Sequence, residues 1–384
     1  MYFMDDTRYI SPLITNMNIL CLFDHYYPYI GGAEVVNKKI TEYLNKKQNI
    51  TIVTKKIKGV KTGIEILNGV KIYRTLNVPR LLHSLVAFTR AQKYAGNAAI
   101  IISATYASGL AGYWLSRTFK KKSILLVHEI LDEHWQYFKP YNHFLYQWYE
   151  RYIVTRPFDC YIAFSFYTKR RLMEYGIPES RIKVIYHGVD SSIFYPRPVD
   201  EALRKSLAGD APFIYLYFGR PGGSKGLPYL INAVPEITRA IPGSKLILIL
   251  SRETKAEYRR ARRMIDAVNG KTQNIVVIDP VPLERLPDYI NIADTVVIPS
   301  LSEGFGFSAV ESCMMGKKVV VTDTGSLPEV TFGRVVKVPK ADSRALAQGV
   351  IRMFNNDFEV IAPKTFTWGR ALQEYDKVIH DLLN

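Results

Sequence analysis

Two carboxylates, Glu303 and Glu311, are separated by seven residues in the run Ser300-Leu301-Ser302-Glu303-Gly304-Phe305-Gly306-Phe307-Ser308-Ala309-Val310-Glu311. Carboxylates accept hydrogen bonds from hydroxyls. With exposed amides between them at the start of a helix, the pair suits sugar or ribose hydroxyls around a bound phosphate. Two other readings stand beside it: an acid and base for glycoside hydrolysis, and, for Glu311 alone, a helix-dipole carboxylate contributing about 0.3–1 kcal/mol. A second loop, Gly219-Arg220-Pro221-Gly222-Gly223-Ser224-Lys225-Gly226, matches neither G-x-x-x-x-G-K-[ST] nor G-x-G-x-x-G. Its glycines admit a close backbone approach, and Arg220 and Lys225 add two cations beside a helix start, which suits a diphosphate. The bland alternative is a solvated glycine turn.

These loops follow strand-like runs. Near-continuous apolar segments recur at Asn18 to Phe23, Ile50 to Val53, Val70 to Tyr73, Ala99 to Ile102, Ser123 to Val127, Cys160 to Phe164 and Lys183 to Tyr186. A second series runs through Phe213 to Phe218, Lys245 to Leu250, Ile275 to Ile278, Thr295 to Ile298, Lys318 to Val321 and Arg334 to Lys337. Such runs are what strands covered on both faces require. Helical spacing in Ala33 to Asn45, Ala256 to Val268 and Asp342 to Phe354 alternates with them. The class is therefore α/β, with two doubly wound parallel sheets whose ligands bind where strands end and helices begin. The boundary is expected near Asp190 to Pro198, and Trp368 to Leu383 forms a last amphipathic helix.

The chain has 384 residues, 48% hydrophobic and 22% charged, enough for two full cores and unlike a disordered or fibrous chain. Cys21, Cys160 and Cys313 are scattered, which excludes a disulfide scaffold or thiolate zinc site and fits a reducing, cytoplasmic compartment. Residues Met1 to Asn16 carry Asp5, Asp6 and Arg8 and read as no secretory signal. The uncharged stretch Tyr94 to Ser116 is long enough to cross a bilayer, but its polar residues and glycines divide it into a buried strand, a loop and a helix. Of the net charge of +16, the part up to Asp190 holds +12 and the remainder +4. That asymmetry suits a polyanionic partner of the first part or a merely solvated basic surface.

The two loops, taken with Thr324-Gly325-Ser326-Leu327-Pro328-Glu329, Arg181 to Asp190, Ser165-x-x-Thr168-Lys169 and Tyr27 to Glu34, resemble the retaining glycosyltransferases of family 4, which have the GT-B fold. The resemblance spans roughly Asp24 to Glu329. It implies a first domain, residues 1–190, that binds the acceptor, a second, 191–364, that binds the nucleotide sugar, and a helix, 365–384, returning to the first. Arg220 and Lys225 would hold the donor diphosphate, Glu311 the ribose, and Glu303 the transferred sugar. The amides of Gly306, Phe307 and Ser308 would approach sugar and phosphate, Gly219 would shape the phosphate loop, and Gly31 and Gly32 would close on them from the first domain. His128 matches the family's sugar-contacting histidine. Departures occur at Lys317-Lys318, where a proline is usual and only the turn is expected to change, and at Asp279-Pro280-Val281-Pro282, which lacks the usual glycine and leaves the base open.

No D-x-D is present, so the leaving group would be stabilised by Arg220, Lys225 and a helix start without metal or other cofactor. The expected partners are a UDP- or GDP-linked hexose and a hydroxyl acceptor, with no nucleic acid. Nine aromatics between His134 and Tyr152, behind Lys120-Lys121-Lys122, suit either a packed acceptor domain or an anionic membrane face and a lipid-linked acceptor. A nucleotide-sugar epimerase of the same fold and a catalytically inactive sugar-binding protein are the competing functions. An oxidoreductase is disfavoured, because the turn after Phe23 lacks G-x-G-x-x-G.

Overall fold

A computed structural model describes residues 16–29, 31–138, 141–252 and 255–384. Residues 1–15, which carry the reading about a secretory signal, and Ile30 of the Tyr27 to Glu34 motif lie outside the described residues.

The first domain contains β1 (Asn18–Phe23), α1 (Gly32–Leu44), β2 (Asn49–Lys55), β3 (Gly63–Leu67), β4 (Val70–Thr75), α2 (Arg80–Ala95), β5 (Ile100–Ala104), α3 (Ala107–Thr118) and β6 (Lys122–Val127). It continues through α4 (Trp135–Phe138), α5 (His143–Val154), β7 (Cys160–Ala163), α6 (Phe166–Glu174) and β8 (Ile182–Val184). The second holds α7 (Glu201–Ala208), β9 (Ile214–Gly219), α8 (Leu227–Ala240), β10 (Lys245–Leu250), α9 (Lys255–Thr272), β11 (Ile275–Ile278), α10 (Leu286–Ile292) and β12 (Thr295–Ile298). It continues through α11 (Phe307–Met314), β13 (Lys318–Thr322), α12 (Leu327–Val330), β14 (Gly333–Val338), α13 (Ser343–Phe354) and β15 (Glu359–Ile361), after which α14 (Trp368–Leu383) packs back on the first domain.

The sheets have the orders β3-β4-β2-β1-β5-β6-β7-β8 and β11-β10-β9-β12-β13-β14-β15. Neighbours run parallel except β3 against β4 and β15 against β14. Central strands are apolar on both faces because helices cover both, as in β1, where Ile19 to Phe23 are all buried. Helices bury one stripe: α1 turns Val36, Ile40 and Leu44 inward at four-residue spacing. The uncharged stretch near Tyr94 resolves into β5 and α3, and no helix of the described residues is long and apolar enough to cross a membrane.

The chain crosses between domains twice. On the outward crossing Ile185 belongs to the first core and Val189 to the second; on the return Phe366 belongs to the second and Ala371, Leu372 and Tyr375 of α14 to the first. The crossings touch at Gly188, where a Cβ would stand 2.1 Å from the Trp368 amide nitrogen, so only glycine fits. Beside them His187 stacks on Phe307 at 5.4 Å with ring planes 1° from parallel. The outward crossing thus packs directly on Phe307, the first residue of α11.

Candidate active site

The phosphate-type loop after β9 is set by Gly226. Its φ is +63°, and a Cβ there would lie 1.8 Å from the Pro299 carbonyl. The loops after β9 and β12 therefore interlock, with Leu301 N donating to Ser224 O at 2.6 Å. Lys225 Nζ donates to Glu303 Oε1 at 2.6 Å, and Ser300 Oγ donates to the same oxygen at 2.8 Å. The Thr324 to Glu329 segment holds the Glu303 backbone: Ser326 N and Oγ both donate to the Glu303 carbonyl, and a Cβ at Gly325 would strike it at 2.4 Å.

Gly306 caps α11 at φ +84° without a side-chain acceptor, so the amides of Phe307 and Ser308 are open at a positive helix end. Gly31 caps α1 in an extended conformation, also without a side-chain cap of its own, and the Glu34 carboxylate of the first turn lies 2.4 Å from where a Gly31 Cβ would be. The two starts face each other: a Cβ at Gly32 would lie 3.4 Å from the Phe307 ring, and one at Gly31 3.9 Å from an Arg220 guanidinium nitrogen. Arg220 is exposed, and its guanidinium makes no ion pair or hydrogen bond among the described residues. The structure thus gathers Gly31, Gly32, Arg220, Lys225, Glu303, Gly306 and Phe307 around one crevice, with Gly219 opening the loop at φ +145°.

Glu311 stands four residues beyond Phe307, about 6 Å along α11. It is half-buried, and burial pushes its carboxyl up to about 7. His128 is half-buried behind the crevice. Its Nε2 lies 3.2 Å from Asn37 Oδ1, its ring packs on Phe164 at 4.8 Å, and burial pushes it down to about 3, so it is neutral. What meets Gly304 is the His128 backbone carbonyl, 1.8 Å from where a Cβ would be.

Glu129 escaped the sequence reading. It accepts from Ser302 Oγ across the crevice, and burial, then the Glu303 charge, raise its carboxyl, opposed by Ser302, Lys225 and Arg220. The only local signal was its place just after β6. A further polar cluster closes the same end of the first sheet, where Asp24, Lys55 and Thr105 follow or end β1, β2 and β5. Asp24 accepts from Ser108 N and Oγ and pairs with Arg80, while burial leaves His83 with both ring nitrogens unpartnered among the described residues and its pKa down at about 4. Among the described residues no group of three or more His, Cys, Asp or Glu is placed to hold a metal ion.

Comparison with known proteins agrees with this architecture. The sequence model described as Glycosyltransferase Family 4 matches residues 30–193, and that described as Glycosyl transferases group 1 matches residues 212–356. The chain belongs to this glycosyltransferase family. A D-inositol 3-phosphate glycosyltransferase of Nocardia farcinica is 33% identical over 184 residues, 46% of this chain and 40% of that protein. The match spans less than half of that curated relative's length. Among solved structures, sucrose-phosphate synthase from Thermosynechococcus elongatus superposes with a TM-score of 0.74 at 20% identity over 96% of each chain. Anabaena HepE in complex with UDP and glucose gives 0.69 at 19% identity, again over 96% of each. These likenesses establish the GT-B fold.

Proposed function

We propose that the chain is a retaining hexosyltransferase that moves a hexose from a UDP- or GDP-linked donor to a hydroxyl acceptor without a metal ion. The start of α11, left without a side-chain cap, and Arg220 beside the start of α1 carry this reading, because they concentrate preorganised positive charge where a diphosphate would leave, offset in part by the Glu34 carboxylate in the first turn of α1. The bond from the anomeric carbon to the phosphate oxygen breaks, the acceptor oxygen bonds to that carbon on the same face, and the acceptor proton passes to the departing phosphate. Arg220, Lys225 and the amides of Phe307 and Ser308 hold the growing negative charge. Glu311 accepts from ribose hydroxyls, Glu303 and His128 from or to the sugar, and Gly31, Gly32 and Gly219 leave room for the phosphates. The Anabaena neighbour, whose structure contains UDP and glucose, supports a nucleotide-sugar donor. The Nocardia relative, named for an inositol phosphate, supports a polyol acceptor, which the Asp24–Arg80–His83 cluster would receive.

The acceptor reading extends to lipid-linked alcohols at an anionic membrane face. Of the aromatic segment, Trp135 and Tyr149 pack inside, but Tyr141, Phe144 and Trp148 are 95%, 64% and 60% exposed on a domain of net charge +12. Cosedimentation with anionic vesicles at low salt tests this extension; no binding removes it.

The function itself is tested by a panel of nucleotide sugars read by thermal stabilisation, then by the anomeric configuration of the product in NMR. A donor at 100 times its dissociation constant adds about 2.7 kcal/mol. Inverted product would contradict retention. Donor conversion without acceptor would favour an epimerase, and binding without any conversion an inactive sugar-binding protein.

A further inference from the structure

The Lys317-Lys318 pair does more than alter a turn. With Arg204, Arg334 and Asp294 it lines a cavity of about 230 Å³ in the second domain. Lys318 opens β13, Arg334 is the second residue of β14 and Asp294 precedes β12, so the cavity lies at the amino ends of these strands. The donor loops leave the opposite ends. The four residues of β12 alone separate the two sites by about 13 Å.

The four cations make local bonds that leave donors free. Lys317 Nζ donates to Asn291 O at 2.6 Å, Arg334 Nη2 to Gly316 O at 2.8 Å, Lys318 Nζ to Asn356 Oδ1 at 2.6 Å, and Arg204 pairs with Asp294 at 3.1 Å. An ammonium has three donors and a guanidinium five. Charge is also unbalanced. The ends of α10 and α11 contribute about −0.5 each and Asp294 −1, so roughly two positive charges remain uncompensated. Burial, and after it Arg204 and Arg334, push Lys317 down to about 8 against the pull of Asp294.

We propose that this cavity is a second anion site, separate from the donor crevice, that takes a phosphate group carried by a small ligand or a lipid headgroup. Its volume admits one or two phosphates with a few waters, less than a whole nucleotide sugar.

The test uses inorganic pyrophosphate as probe on the full chain in an Arg220→Ala background, which weakens the donor crevice. Pyrophosphate should still raise the melting temperature, and Lys317→Gln with Arg334→Gln should weaken that binding about tenfold or more while leaving the UDP response of the otherwise native protein intact. Lys318→Gln leaves the Asn291 and Gly316 carbonyl bonds in place and so keeps the fold; it should weaken pyrophosphate about threefold. Binding to phosphatidate vesicles that falls in the same variants, with no response to free pyrophosphate, would assign the phosphate to a lipid. No response to either probe, or a response lost in Arg220→Ala and untouched by the cavity variants, would overturn the site.

Discussion

Lys225 Nζ and Glu303 Oε1, 78 residues apart in sequence, lie 2.6 Å from one another and bind the loop after β9 to the loop after β12. Glu303 is 6% exposed, so it depends on Lys225 and Ser300 for its charge to be tolerated. Lys225→Ala should cost about 1–3 kcal/mol of stability and about 10²–10³ in transfer rate. Lys225→Met with Glu303→Gln should restore the melting temperature and leave activity low. Thermal unfolding and kinetics of the three proteins separate the two effects.

Arg220 supplies the contrast. It is exposed and unpaired among the described residues, so Arg220→Ala should leave stability within about 0.5 kcal/mol of the parent. The same change should lower kcat/KM about 10²–10³. Equal losses of stability and activity would show that its role is structural.

Glu311 gives a pH signature. Its folded pKa is raised to about 7 by burial. A raised carboxyl contributes stability below its unfolded value near 4.5, and that contribution is lost as pH climbs toward 7. Glu311→Gln should therefore be more stable than the parent by about 1–2 kcal/mol at pH 8, discounting for its partial exposure, and no more stable at pH 4. Nucleoside diphosphate binding by the parent should tighten as pH rises through 7, because the ionised form accepts two hydroxyls, and this component should vanish in Glu311→Gln. Denaturant titrations at pH 4 and 8, and calorimetry on either side of pH 7, check both signs.

Gly304 tests the seam between domains. A Cβ there would lie 1.8 Å from the His128 carbonyl, so Gly304→Ala must move one domain relative to the other. Transfer should fall at least about 10²-fold, since a displacement near 1 Å suffices for that, while each domain core stays folded. Small-angle scattering and circular dichroism read the two outcomes.

Strand positions were legible because buried parallel strands carry continuous apolar runs; the strands expected from the sequence all appear near their expected bounds. The two that were not expected, β3 and β15, are short antiparallel edges that are only partly covered: Ile64 and Ile66 are 56% and 76% exposed and Val360 is 74% exposed, while Leu67 and Ile361 pack against the cores. Edge pairing leaves no such run. The two loops that carry Arg220, Lys225, Glu303 and Glu311 stood out by their local spacing, but Glu129 did not, since its partner Ser302 lies 173 residues away. Lys317 and Lys318 were visible as an oddity, yet the cavity they share with Arg204 and Arg334 exists only once three strands are aligned.

The most direct measurement is calorimetric titration of UDP and GDP into the full chain, with and without a chelator, beside Arg220→Ala and Lys225→Ala. A diphosphate seated between those cations and the two helix starts should bind equally well in chelator and at least about 100-fold more weakly in each variant. Binding that requires a divalent ion, or that survives both substitutions, would contradict it.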